Sequence, residues 1–186
     1  MRLFVAIEIP GEIRNTLAEF LKELRAVAPQ AKWVRPENMH VTLKFLGETG
    51  PAKVGPIVKV LDGVRNGQPV TLEFRGLGYF PNEKRPRVFW AGMEASANLK
   101  TLAGEADQGL HRLGFALEDR AFTPHLTLAR FDPPGLPAKL GPTAAANWSR
   151  SFGSFTVREF HLIESKLKPA GAEYTTVQTF SFVTES

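Results

Sequence analysis

A chain of 186 residues that is 43% hydrophobic and 23% charged has the make-up of a globular protein with a sizeable core, as one domain or two small lobes. No apolar run approaches the roughly 20 residues a transmembrane helix needs, and zero cysteines exclude disulfides and thiolate metal sites and suit a reducing cytoplasm. A net charge of +4 and a pI near 9.5 favour a polyanionic partner without requiring one.

Residues 2–9 alternate and are β-rich, and the opening segment through Pro10 is too short and too interrupted by Glu8 for a signal peptide; it predicts a buried first strand. From Gly11 the spacing turns helical, with Ile13, Leu17, Phe20, Leu21, Leu24 and Val27 on one stripe and Pro29 as the stop. Trp33-Val34 is a short extended piece, and residues 39–46 form a strand closed by Gly47 and Gly50-Pro51. A second helix is expected over about 52–65, with Val54, Ile57, Val58 and Leu61 inward. Strands at about 70–80 and 87–95 flank Pro81 to Pro86 and predict a hairpin. A helix at about 96–113, carrying Leu99, Leu102, Leu110 and Leu113, ends at Gly114. A strand at about 124–131 follows, then a Pro-rich loop and a short helix at 138–146. Strands at about 153–165 and 173–183, joined by Lys168-Pro169-Ala170-Gly171, finish the chain.

Two tetrapeptides dominate this pattern, His40-Val41-Thr42-Leu43 and His125-Leu126-Thr127-Leu128. A strand has a two-residue side-chain period, so each offers an imidazole and a hydroxyl on one face and apolar side chains on the other. A motif strand in each half predicts two related lobes around a shared cleft. Two imidazoles there suit a reaction in which one proton is removed and another delivered, because histidine titrates at about 6.5. The threonine hydroxyls can donate to an anion between the rings, and phosphate fits that place. In-line attack on a phosphodiester, with water on one side and an alkoxide leaving on the other, needs no metal in this arrangement.

The chain resembles the 2H phosphoesterase superfamily, within the RNA 2′,3′-cyclic phosphodiesterases, also called LigT-like or 2′-5′ RNA ligase proteins. The resemblance rests on Met1 to Ile7, on Trp33 to Glu48 with the first motif, on Phe122 to Arg130 with the second, and on Glu164 to Tyr174. It implies an α+β fold, with antiparallel sheets in two lobes flanking a central cleft and helices outside, residues 1–186 forming a single bilobal domain. It implies hydrolysis of a ribose 2′,3′-cyclic phosphate to a 2′-phosphate, with no metal and no cofactor. His40 would then protonate the departing 3′ oxygen and His125 would activate water, although the symmetry of the motifs allows the reverse. Thr42 and Thr127 carry over as phosphate-holding residues. The partners expected are RNA ends or oligonucleotides bearing the cyclic phosphate, bound by a monomeric, cytoplasmic protein.

Five residues beyond each histidine stand Phe45 and Arg130. Phe45 could stack on a nucleobase, and Arg130 could hold phosphate through its forked guanidinium. Strict alternation instead puts Phe45 with Val41 and Leu43, and Arg130 with Leu126 and Leu128, on the core faces; a bulge or strand end would return Arg130 to the cleft. Lys44 shares the parity of His40 and Thr42 and is expected to be solvated at the strand end. Lys84, Arg85 and Arg87 read as an RNA-following loop or an ordinary charged hairpin tip. His111 and His161 are expected to be structural and Trp33 and Trp90 to be core, while Trp148 is unassigned. Two other readings compete: a non-catalytic RNA-end-binding module, and 2′-5′ ligation by the reverse reaction. A metal-dependent hydrolase is disfavoured, because no His-Glu-x-x-His or similar ligand cluster occurs.

Overall fold

The computed structural model describes residues 1–119 and 125–183, so the Phe122-Thr123-Pro124 approach to the second motif lies outside the described residues. The first strand, β1 (Arg2–Glu8), buries Leu3, Val5 and Ile7 on one face, as its alternation predicts. Helix α1 (Gly11–Val27) buries Ile13, Leu17, Phe20, Leu21 and Leu24, each burial contributing about 1.5–3 kcal/mol. It ends at Ala28, whose carbonyl accepts a 2.8 Å hydrogen bond from the Trp33 indole. A short β2 (Lys32–Trp33) and a 3-10 turn (Pro36–Asn38) lead into the first motif strand, β3 (His40–Glu48). Helix α2 (Pro51–Asp62), the hairpin β4 (Val70–Phe80) and β5 (Val88–Ala95), and α3 (Asn98–His111) follow where the spacing predicts them. The second motif strand is β6 (His125–Arg130), and α4 (Leu140–Ala146) is the short helix. Among the described residues, no helix is long and apolar enough to cross a membrane.

The strand expected over 153–165 is in fact two. β7 (Ser151–Val157) pairs with β4, and β8 (Glu159–Lys168) pairs with β1, so the chain changes sheet at Arg158. Both sides are β-rich and no glycine or proline marks the crossing. β9 (Gly171–Ser181) completes a hairpin with β8.

Two sheets result, in the orders β3-β1-β8-β9 and β2-β6-β5-β4-β7, antiparallel at every pairing. They adjoin where β3 meets β6. Helix α1, which follows a strand of the first sheet, packs on β7 of the second, while α3 leaves the second sheet and packs on β3 of the first. Gly153 permits the first of these contacts: its φ is +117°, and a Cβ there would sit 2.4 Å from Ile13 Cδ1. One continuous buried cluster accordingly includes residues of both sheets and of α1, α2, α3 and α4.

The motif strands share an irregularity. In β3, Thr42 pairs with Ala6 and Lys44 with Val5, leaving Leu43 as an extra residue. In β6, Thr127 pairs with Trp90 and Ala129 with Phe89, leaving Leu128 extra. These are β-bulges, which shift the facing of everything after them by one residue. Lys44 therefore turns inward rather than to solvent, correcting the parity expectation. It is 4% exposed, donates to Asp107 at 2.6 Å and to the Ala116 carbonyl, and lies 3.5 Å from Glu118. Asp107 also accepts from the Glu118 backbone N–H at 3.1 Å. Removing one partner of such a buried pair typically costs about 3–5 kcal/mol, whereas replacing both by apolar groups is far milder. Lys44→Met is thus expected to lower stability by about 3 kcal/mol in urea unfolding, and Lys44→Met combined with Asp107→Leu to recover much of that loss.

Candidate active site

On the first sheet, His40 pairs with Glu8, Thr42 with Ala6 and, past the bulge, Phe45 with Phe4. Leu3, Val5 and Ile7 face the core, so these partners and their neighbours lie on the opposite face. Phe45 is 70% exposed, and its ring centroid stands 6.1 Å from that of Phe4. The core placement that strict alternation assigns to Phe45 is therefore wrong, and the bulge is the reason.

The second sheet repeats the arrangement. His125 pairs with Gly92, Thr127 with Trp90 and Arg130 with Val88, while Leu126, Leu128 and Ala129 are buried. The bulge at Leu128 returns the exposed Arg130 to the face of His125 and Thr127. Both sheets back onto the same core and come into contact where β3 meets β6, the two motif strands.

Trp90 does not sit in the core. It is half-buried on the motif face, 6.2 Å from the His125 ring. Its indole lies over Gly78, where a Cβ would come within 2.0 Å of the ring. Trp33 is partly buried against the core, and Trp148 is exposed with its ring 5.8 Å from Tyr79. Lys84 and Arg85 stand exposed at the β4–β5 tip, where the Asn82 side-chain oxygen accepts from both backbone N–H groups at 3.0 Å. Arg87, also exposed, continues that basic run to Val88, the strand partner of Arg130. His111 Nδ1 lies 2.9 Å from the Phe115 carbonyl just beyond α3. His161 is buried, with its Nδ1 2.9 Å from Thr179 Oγ1 on β9.

His40 Nδ1 lies 3.2 Å from the Asn38 carbonyl. A carbonyl only accepts, so Nδ1 carries the proton, and Nε2 of the neutral ring is left with its lone pair. Phe4 and Tyr174 pack edge-on to this ring at 6.1 and 5.5 Å. A pocket of about 180 Å³ opens beside it, lined by Glu8, Arg14, Glu37, Tyr174 and Thr176 among others. Sequence reasoning missed this surrounding group. Its legible signal was the parity of Phe4, Ala6 and Glu8 on β1, which marks the face opposite Leu3, Val5 and Ile7.

Burial holds the His40 imidazolium below the usual histidine range, and the Arg14 charge pushes the same way; the Asn38 hydrogen bond and Glu8 oppose them. NMR titration is expected to place His40 below about 6.5 and to show an upward move in Arg14→Gln. An unfolded histidine takes its proton at a higher pH than folded His40 does. Stability from this site is therefore complete above the unfolded value and is lost as pH falls through the folded one. His40→Asn should flatten that part of the stability–pH curve.

A family model described as LigT like Phosphoesterase matches residues 7–90 and 93–174. An RNA 2′,3′-cyclic phosphodiesterase of Archaeoglobus fulgidus is 39% identical over 97% of this chain and 99% of its own. A crystal structure from Thermus thermophilus superposes with a TM-score of 0.82 at 34% identity, covering both chains completely. E. coli LigT, solved in complex with 3′-AMP, gives a TM-score of 0.76 at 27% identity, covering 99% of this chain and 98% of that one. Matched by that family model over most of its length and by the A. fulgidus relative nearly end to end, this chain belongs to the LigT-like phosphoesterases.

Proposed function

We propose that this protein hydrolyses the 2′,3′-cyclic phosphate at an RNA end to a 2′-phosphate, using His40 and His125 as its proton-transfer pair. The observation that carries this reading is the repeated pattern of the motif strands. Each presents histidine, threonine and the fifth residue after the histidine on one face, and the two strands come into contact with one another. The activity named for the A. fulgidus relative, 39% identical over nearly the whole chain, supports it.

In the proposed step, water attacks phosphorus from the His125 side and gives its proton to that imidazole. The P–O3′ bond breaks, and the departing oxygen takes a proton from His40 Nε2. The 2′ ester remains, so the product is a 2′-phosphate beside a free 3′-hydroxyl. Because free His40 resists protonation, the bound anion has work to do: a phosphate charge beside the ring favours imidazolium. As the P–O3′ bond breaks, negative charge builds on the departing oxygen, which then takes the proton from the charged ring. Thr42, Thr127 and Arg130 hold the phosphate oxygens, and Phe45 stacks on the terminal base. The exposed Lys84, Arg85 and Arg87 extend the positive surface from Arg130 along an RNA backbone. One copy of the chain supplies both motifs, so the reading needs no second subunit.

The test is hydrolysis of an oligonucleotide ending in a 2′,3′-cyclic phosphate, in excess EDTA. Turnover to the 2′-phosphate is expected, with kcat falling by about 10²-fold or more in His40→Ala and in His125→Ala. Phe45→Ala should raise KM by about tenfold, as expected for one lost base–aromatic stack. A 3′-phosphate product would reverse the direction of ring opening, and tight binding of the RNA end without turnover would favour a binding module.

A further inference from the structure

The pocket beside His40 is lined by that histidine and by no residue of the second motif, and the groups around the ring take no part in the proton transfers proposed above. Its lining is nonetheless chemically specific. Arg14, in the first turns of α1, is anchored at one end by a 3.2 Å hydrogen bond from Nη2 to the Ile9 carbonyl. Its Nε–H is buried and has no hydrogen-bond partner among the described residues, a cost borne to hold the guanidinium at the pocket wall. Glu8 and Glu37 supply carboxylate oxygens. Glu37 uses Oε1 to accept from Arg35 Nε at 3.0 Å, which leaves its other oxygen free of that contact. Tyr174 forms an aromatic wall.

Two carboxylates against one guanidinium argue against a bare anion as the occupant. They call for a ligand that brings hydroxyl donors together with one negative group, as a ribonucleotide does. The 2′-hydroxyl is the group by which a protein separates RNA from DNA. The approach is aromatic too. Ring centroids run from Phe45 to Phe4 at 6.1 Å and from Phe4 to Tyr174 at 5.1 Å, a track from the terminal-base platform to the pocket.

We propose that this pocket is a second nucleotide subsite that takes the ribonucleotide preceding the cyclic end, which tunes the enzyme to RNA oligonucleotides over 2′,3′-cyclic mononucleotides. The Arg14 guanidinium donates to the phosphodiester joining the two nucleotides. Glu8 and Glu37 accept from the upstream ribose 2′-hydroxyl, and Tyr174 packs against the upstream base. This assignment rests on the phosphodiesterase reading given above.

The experiment compares kcat/KM for adenosine 2′,3′-cyclic phosphate, for the diadenosine dinucleotide ending in the same cyclic phosphate, and for that dinucleotide with an upstream 2′-deoxyribose. The ribo-dinucleotide is expected to be preferred over the mononucleotide by about tenfold or more, as for one charge-assisted hydrogen bond. The deoxy substitution should remove part of that preference. In Arg14→Gln and in Tyr174→Leu the ratio should fall toward one. Misfolded protein, or an altered proton affinity of His40, lowers both rates together and cancels in the ratio. Equal efficiency of the wild type on both ribo-substrates, or an unchanged ratio in Arg14→Gln, would overturn the subsite while leaving the phosphodiesterase reading intact. Turnover of neither substrate would overturn that reading, and the subsite with it.

Discussion

Each motif strand carries an extra residue just past its threonine that its partner cannot pair, and the site depends on that excess. Without the bulges at Leu43 and Leu128, a two-residue period would bury Phe45 and Arg130 behind the histidines. With them, three successive groups of different chemistry share a face: a titratable ring, a hydroxyl, and either an aromatic or a guanidinium. The extra leucines are themselves buried, so the irregularity is fixed by packing and does not depend on loop conformation.

The same shift that frees Phe45 turns Lys44 inward, and the fold meets this with Asp107, Glu118 and the Ala116 carbonyl. Those partners lie on α3 and on the segment that runs toward the second motif. A charge on the first motif strand thus links that strand to the approach of the other. The electrostatics of His40 follow a related logic. For a ring packed between Phe4 and Tyr174, burial and, more weakly, the Arg14 charge favour the neutral form.

Much of the architecture was legible because its signals are local. The stripe of α1, the Pro81-to-Pro86 turn and each His-x-Thr-Leu tetrapeptide are each defined by residues close together in the chain. What the sequence hid were matters of pairing. A bulge has no composition of its own, so Lys44 and Phe45 exchange the places that alternation assigns them, and Trp90 lies over Gly78 only because β4 and β5 register there. The change of sheet at Arg158 was invisible for a similar reason: both flanks prefer strand, and the partners that divide them are distant in the chain. Arg14, Glu8 and Tyr174 come from three elements, and no spacing within any one of them announces their convergence.

The exchange of helices has a mechanical consequence. Since α1 braces the sheet it does not follow and α3 does likewise, neither lobe can swing outward without stripping apolar cover from the other. Domain hinges are a few loop or element-terminal residues that absorb the backbone change, whereas here the two sheets share one buried core. A site spread over both sheets thus rests on a joint that resists parting.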